Sequence, residues 1–303
     1  MATEEEMDAV AVKFGIESAR GWPEEEMAMG VEQQLTDDEV AALMESFVKY
    51  GAPKLRYVFL SGNPELSDAA ARALAGAMRA KALPMLEVIH FRQNAITDAG
   101  AVEVVSAISD ALHVNIREIE FDECQGVGDD TLRALTDSLR RMWENPAVGD
   151  IYLERLDLAG SQYIRHHIGD SALSQFATAL LERDFYLNHV EEINLSDNDI
   201  GDEGFGKLCD AIADGRLPKL AHLYLSCNKI SNVGAQKLAD AFTASREPLE
   251  LYDMRLDYQL VGWDGRRAIV EAAKARDGKK VSVILKHLEF NEIKKKNKWG
   301  VRM

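Results

Sequence analysis

Residues 190–212 read VEEINLSDNDIGDEGFGKLCDAI, and residues 220–242 read LAHLYLSCNKISNVGAQKLADAF. Both follow one apolar pattern, L-x-x-L-x-L-x-x-N-x-I-x-D/N-x-G, and then continue with helical spacing. Residues 86–108, LEVIHFRQNAITDAGAVEVVSAI, follow it again. Looser copies begin at Leu55, Ile116, Leu153 and Leu249, and a last fragment runs through Leu285, Leu288, Phe290 and Ile293. The starts fall at 55, 86, 116, 153, 190, 220 and 249, about thirty residues apart except for two steps of 37. Self-similarity at such a period marks a stacked repeat architecture.

The alternation in L-x-x-L-x-L predicts a short strand whose leucines point inward while the residues between them face out. The Asn falls in the tight turn after the strand. There its amide can satisfy backbone groups that the turn would leave unpaired. Cys124, Ser161 and Asp257 take its place in three copies. Asp98, Asp129, Asp170, Asp202, Asn232 and Asp264 follow, placed as helix N-caps. Apolar residues four apart, such as Leu208 with Ile212 and Leu238 with Phe242, give each helix a buried stripe. One unit cannot bury that stripe alone. Stacked neighbours create a continuous core, with a parallel sheet on one side and helices on the other. Helices are wider than strands, so the stack is expected to curve with its sheet inside.

With this motif and period, the chain resembles leucine-rich-repeat proteins of the ribonuclease-inhibitor-like subclass over about residues 55–276. The resemblance implies an α/β solenoid, a horseshoe segment of about seven repeats plus caps. The parallel β-sheet would lie on the concave face and the α-helices on the convex face. The domain reading is 1–54, an acidic segment and helical cap; 55–276, the repeat domain; and 277–303, a closing strand and basic tail. The resemblance singles out no function. The subclass includes enzyme inhibitors, actin-capping proteins, GTPase-activating proteins, immune receptors and ciliary scaffold components.

Terminal repeats need caps, because their core face would otherwise meet water. Residues 35–49, LTDDEVAALMESFVK, look like a repeat helix without its strand, capped by Thr36 or Asp37; residues 10–50 read as the N-terminal cap and the first several residues as frayed. Residues 281–293, VSVILKHLEFNEI, look like a closing strand or hairpin. The two long steps mark insertions around Arg141–Asp150, Gln162–His167 and Glu182–His189. Inserted loops of solenoids are often where partners bind. They carry Trp143, Tyr163, Arg165, His166 and His167.

Composition narrows the function. The 303 residues are 47% hydrophobic and 28% charged, the balance of a globular protein. No apolar run approaches the roughly 20 residues that cross a bilayer. The acidic start MATEEEMDAV is unlike a basic targeting peptide, so a cytoplasmic setting is expected, with nuclear or cytoskeletal ones as alternatives. Three unpaired cysteines, Cys124, Cys209 and Cys227, read as buried free thiols. Net charge is −16: residues 1–50 hold 13 acidic and 3 basic side chains, whereas 274–303 hold 10 basic and 3 acidic. An acidic body repels nucleic acid and anionic lipid and favours basic partners. The tail Lys294–Lys298 reads as a solvated tail, a localisation signal or a phosphate-contact patch.

The repeat register assigns the outward strand positions. Tyr57, Phe59, His90, Arg92, Glu118, Glu120, Asp122, Arg155, Asp157, Tyr224, Asp253 and Arg255, with Tyr163 from an inserted loop, form the expected partner-binding set. Aromatics and Arg dominate binding energy at such surfaces, while opposite charge sets specificity and on-rate. The expectation is a non-enzymatic scaffold for a protein partner with a basic surface. Neither a cofactor nor a metal is expected, and neither nucleic-acid binding nor membrane insertion. Alternatives are a Ran-type small-GTPase activator, using Arg92 and Asn94, or an inhibitor that clamps a basic enzyme. Several motifs are discounted. Gly201–Gly206 lacks the phosphate-loop order and His166-His167 lacks ligand spacing. Glu118, Glu120 and Asp122 read as a solvated face rather than a cation site, and Asn194-Leu195-Ser196 as a chance glycosylation sequon.

Overall fold

The structure, a computed structural model, describes residues 2–13, 26–28, 34–112, 115–161, 163–164, 166–182, 185–245, 249–257 and 260–276. The closing strand expected at 281–293, the basic tail, Gln162 and Arg165 lie outside these residues. The chain divides into two compact units, Met1–His167 and Ile168–Met303.

In the first unit the order is α1 (Glu4–Lys13), β1 (Glu26–Ala28), α2 (Asp37–Tyr50), β2 (Tyr57–Phe59), α3 (Asp68–Arg79), β3 (Val88–His90), α4 (Asp98–Asp110), β4 (Glu118–Glu120), α5 (Asp129–Trp143) and β5 (Arg155–Asp157). Strands β1 to β5 pair in sequence, all parallel, and the register aligns Phe59 with His90, Glu120 and Asp157. In the second unit α6 (Asp170–Leu181), β6 (Glu192–Asn194), α7 (Asp202–Ala213), β7 (His222–Tyr224), α8 (Asn232–Ala244), β8 (Asp253–Arg255) and α9 (Trp263–Arg276) repeat the alternation. There β6 to β8 are parallel.

Strand centres point inward as the period requires: Val58, Ile89, Ile119 and Leu156 in one unit, Ile193, Leu223 and Met254 in the other, none more than 3% exposed. Each such side chain contributes about 1.5–3 kcal/mol by leaving water. The last copy opens at Leu251 rather than Leu249. Leu251, Met254 and Leu256 are buried, while Tyr252, read as an inner position, faces solvent. Asp257 therefore leaves the asparagine column.

The N-terminal cap is larger than the sequence suggested. Helix α1 is formed where fraying was expected, burying Met7, Val10 and Ala11. Strand β1 supplies the strand that the cap had seemed to lack. Thr36 caps α2 in a reciprocal capping box with Glu39.

Asparagines form a ladder beneath the turns. Asn94 Oδ1 accepts from Asn63 N at 2.9 Å, and Asn228 Oδ1 from Ile200 N at 2.9 Å. Asn228 Nδ2 donates back to Leu225 O and Leu195 O. The residue before each rung is left-handed: Gly62, Gln93, Glu123, Asp197 and Cys227, with φ between 56° and 74°. Only Gly62 suits that conformation; for the others it costs about 1–2 kcal/mol, which the rung's bonds offset. Cys124 holds one rung through Sγ to Phe91 O at 3.0 Å. In the repeat after β5 the rung is His166, not Ser161. His166 is fully buried, with Nδ1 3.0 Å from Leu158 O and Nε2 2.7 Å from Cys124 O. Burial pulls its pKa below the usual histidine range, against the raising effect of both carbonyls.

The conserved-spacing carboxylates do not cap their own helices. The N-caps are one residue earlier, at Thr97, Gly128, Gly169, Gly201 and Ser231. Asp98, Asp170, Asp202 and Asn232 instead serve the helix of the following repeat. Asp98 Oδ1 accepts from Gly128 N and Thr131 N, at 2.8 and 3.0 Å. Asp202 Oδ1 accepts from Ser231 N and Gly234 N, at 2.8 and 2.9 Å, and Asn232 Oδ1 from Gly262 N. This explains the motif glycine: a Cβ on Gly234 would lie 2.6 Å from Asp202 Oδ1, and one on Gly204 2.8 Å from Asp170 Oδ1.

Candidate functional site

The outward strand positions are those the register assigned. In the first unit an aromatic patch opens the face. Tyr57 and Phe59 stack with ring centroids 6.1 Å apart, and Phe59 packs on His90 at 4.8 Å. The Arg56 guanidinium lies 5.0 Å over the Tyr57 ring and clasps Glu87 through two bonds of 2.8 and 2.7 Å. These rings present apolar area with little rotamer entropy to lose, which suits anchors.

Acidic groups follow on β4 and β5. His90 bridges Glu118 and Glu120, each at 3.2 Å. Its hydrogen bond holds the Glu118 carboxyl below the usual range. Arg92 reaches Asp122 at 3.0 Å and Glu123 at 2.7 Å, and its exposure is offset by these ties. Arg155 sits 3.5 Å from Glu120 and 3.7 Å from Asp157. Asp122, read as part of a solvated face, and Asp157, read as an outward contact position, are buried, at 7% and 4% exposure. The cause is the side chains around them, which sequence spacing does not reveal. Burial, then the charges of Asp157 and Glu120, push the Asp122 carboxyl up to about 8. Glu120, Asp122 and Asp157 each offer an oxygen within 4.8 Å of the others. Asn94, imagined at a GTPase rim, is consumed in the ladder at 2% exposure.

The second unit carries its own aromatic cluster. Tyr224 donates its hydroxyl to Asp253 Oδ2 at 3.0 Å and lies 3.1 Å from His222 Nδ1. Tyr252 meets the other nitrogen, His222 Nε2, at 2.9 Å. Arg255 lies 4.6 Å over the Tyr224 ring. Burial and Asp253 raise the Tyr224 phenol to about 12, so it stays a neutral donor. Tyr252 was missed because the two-residue register error turned it inward. In the inserted loop Tyr163 stands 87% exposed, above a turn in which Ser161 Oγ accepts from Ile164 N at 3.1 Å. Trp143 is half-buried at the end of α5.

The cysteines are chemically quiet where buried. Burial raises the thiols of Cys124, to about 12, and Cys209, so neither is a thiolate near neutrality. Cys227, expected inside, is only half-buried. Among the described residues no helix is long and apolar enough to cross a membrane.

Three stretches, residues 82–105, 186–209 and 216–239, match a family model described as Leucine Rich repeat. Each contains one strand, its asparagine rung and the start of the next helix. The chain is a leucine-rich-repeat protein. Its α/β solenoid architecture follows from the same repeats. No curated protein matches the leucine-rich-repeat chain. Among solved structures, a chain in the crystal structure of the TLR13–ssRNA13 complex is 14% identical, with 76% of this chain and 28% of that one covered and a TM-score of 0.38. This protein thus spans little over a quarter of that chain. A chain of the Rad7 and Elc1 complex in yeast is also 14% identical, over 78% of this chain and 70% of that one, with a TM-score of 0.27. Likenesses at this level bear no weight in assigning a role.

Proposed function

We propose that this leucine-rich-repeat chain is a non-enzymatic scaffold, of the ribonuclease-inhibitor-like kind, that binds a protein partner through its outward strand face. The observation that carries the reading is the pairing of solvent-facing aromatic anchors with carboxylates on strand positions. Tyr57 and Phe59 share the face with Glu118 and Glu120 in one unit, with His90 between them, and Tyr224 stands beside Asp253, with Tyr252 joined to it through His222, in the other. Anchors of this kind supply most of the binding energy, and the net charge of −16 draws a partner with a basic surface. Arg92, Arg155 and Arg255 sit among these groups as fixed cations that restrict which basic partner fits. Tyr163, at the tip of its loop, is a further contact.

The test is affinity capture with mass spectrometry from cells that express the chain, using native bait and two double variants, Tyr57→Ala with Phe59→Ala and Tyr224→Ala with Arg255→Ala. Circular dichroism confirms that each variant is folded. The expected result is a partner held by native bait and at least tenfold weaker with one or both variants, since anchor truncations cost about 2 kcal/mol or more. Equal capture by all three baits would remove the strand face from the argument.

A further inference from the structure

We propose that Glu120, Asp122 and Asp157 hold a hard divalent cation, with Ca2+ the best fit. The register brings Glu120 and Asp157 side by side on β4 and β5, and Asp122 stands two residues beyond Glu120. Three carboxylates in one place are common on acidic surfaces, but this cluster differs in its burial. Asp122 is 7% exposed. Its Oδ2 faces Arg92 Nε at 3.0 Å. Its Oδ1 is sealed from solvent and has no hydrogen-bond partner among the described residues. A buried carboxylate oxygen without a donor is destabilising unless something positive reaches it.

The spacing and donor type select the ligand. Carboxylate oxygens suit hard cations. With ligands at about 2.3–2.6 Å, opposite oxygens around Ca2+ lie about 4.6–5.2 Å apart; around Mg2+ the span is only about 4.0–4.2 Å. The three oxygens lie within 4.8 Å of one another, inside the span of a Ca2+ shell, whose flexible coordination suits an all-carboxylate set. Waters complete the shell. Arg92 already ties Asp122 Oδ2 at 3.0 Å, whereas Arg155, at 3.5 and 3.7 Å from Glu120 and Asp157, lies beyond the roughly 2.7–2.9 Å of a strong charge-assisted bond.

Binding is read on the purified chain alone, so its outcome does not depend on whether a partner is captured.

The experiment is calorimetric titration of the chelator-treated full chain with CaCl2, and separately with MgCl2, at physiological ionic strength. Melting curves with and without Ca2+ accompany it. Asp122→Asn and Glu120→Gln are the test variants. Glu65→Gln is the control, since Glu65 is an exposed carboxylate outside the strand face. Expected are one Ca2+ per chain, Mg2+ at least tenfold weaker, at least tenfold loss in both test variants, and less than twofold change in the control. Ca2+ should raise the melting temperature of the native chain and not that of Asp122→Asn. No heat and no melting shift at millimolar Ca2+ would mean the cluster takes no cation, and would overturn the proposal. Unchanged binding in Asp122→Asn would overturn it equally.

Discussion

Replacing Asp202 by Ala tests the relay in which one repeat caps the next. The Asp202 carboxylate accepts three bonds from α8: Ser231 N at 2.8 Å, Gly234 N at 2.9 Å and Ser231 Oγ at 2.5 Å. Loss of a helix cap costs about 0.5–2 kcal/mol, and a hydrogen bond to a charged acceptor is worth about 1.5–3 kcal/mol. Asp202 is only half-buried, so water recovers part of the loss. A net cost of about 2–3 kcal/mol is expected. Asp202→Asn keeps one acceptor, as Asn232 does for Gly262 N, and should cost about half as much. Urea unfolding gives the total, and amide hydrogen exchange locates it. Ser231 and Gly234 amides should lose protection in the Ala variant, while amides of α3 keep theirs. An Ala variant within about 0.5 kcal/mol of native would refute the relay, and so would exchange that accelerates uniformly along the chain.

Cys227 holds a φ of 58°, which glycine adopts freely. Cys227→Gly should stabilise by up to about 1 kcal/mol, as relief of left-handed strain exceeds the added chain entropy; a loss in urea unfolding would contradict this. His166→Ala removes a fully buried ring that spans two carbonyls, and should cost about 2–4 kcal/mol by the same measurement. Asp122 titrates near 8 when folded against 3.8 ordinarily, so the native state binds its proton more tightly than the unfolded chain does. On its account stability is present below about pH 4 and declines as pH rises to about 8. In chelator, the advantage of Asp122→Asn over the native chain should widen from pH 5 to pH 8; a constant difference would show that burial does not perturb this carboxyl.

The repeating unit was legible because its signal is local: leucines at alternating strand positions and an Asn three residues after the last. Everything that acts across the period was not. Asp98 and Asp202 look like caps for the helices they begin, and only stacking shows that their acceptors face amides 29 to 33 residues away. His166 could not be read as a rung, because the insertion carries it eight residues from Leu158. Tyr252 was turned inward by the start at Leu249, since the degenerate copy offers leucine at both 249 and 251. The outward aromatic columns of Tyr57, Phe59 and Tyr224 were legible from alternation. The sealing of Asp122 and Asp157 was not, because it depends on neighbours such as Arg92 and Arg155 that only stacking brings alongside.

The forward direction of capping gives each unit a polarity. Asp202 belongs to a helix made before α8, so a growing chain meets its acceptor already in place as Ser231 and Gly234 emerge. Trimming from the carboxyl end strands only a carboxylate, which water serves well. Trimming from the amino end strands amides at a helix start, which water serves poorly once they are packed. Array length in this architecture is thus more easily shortened at its tail than at its head.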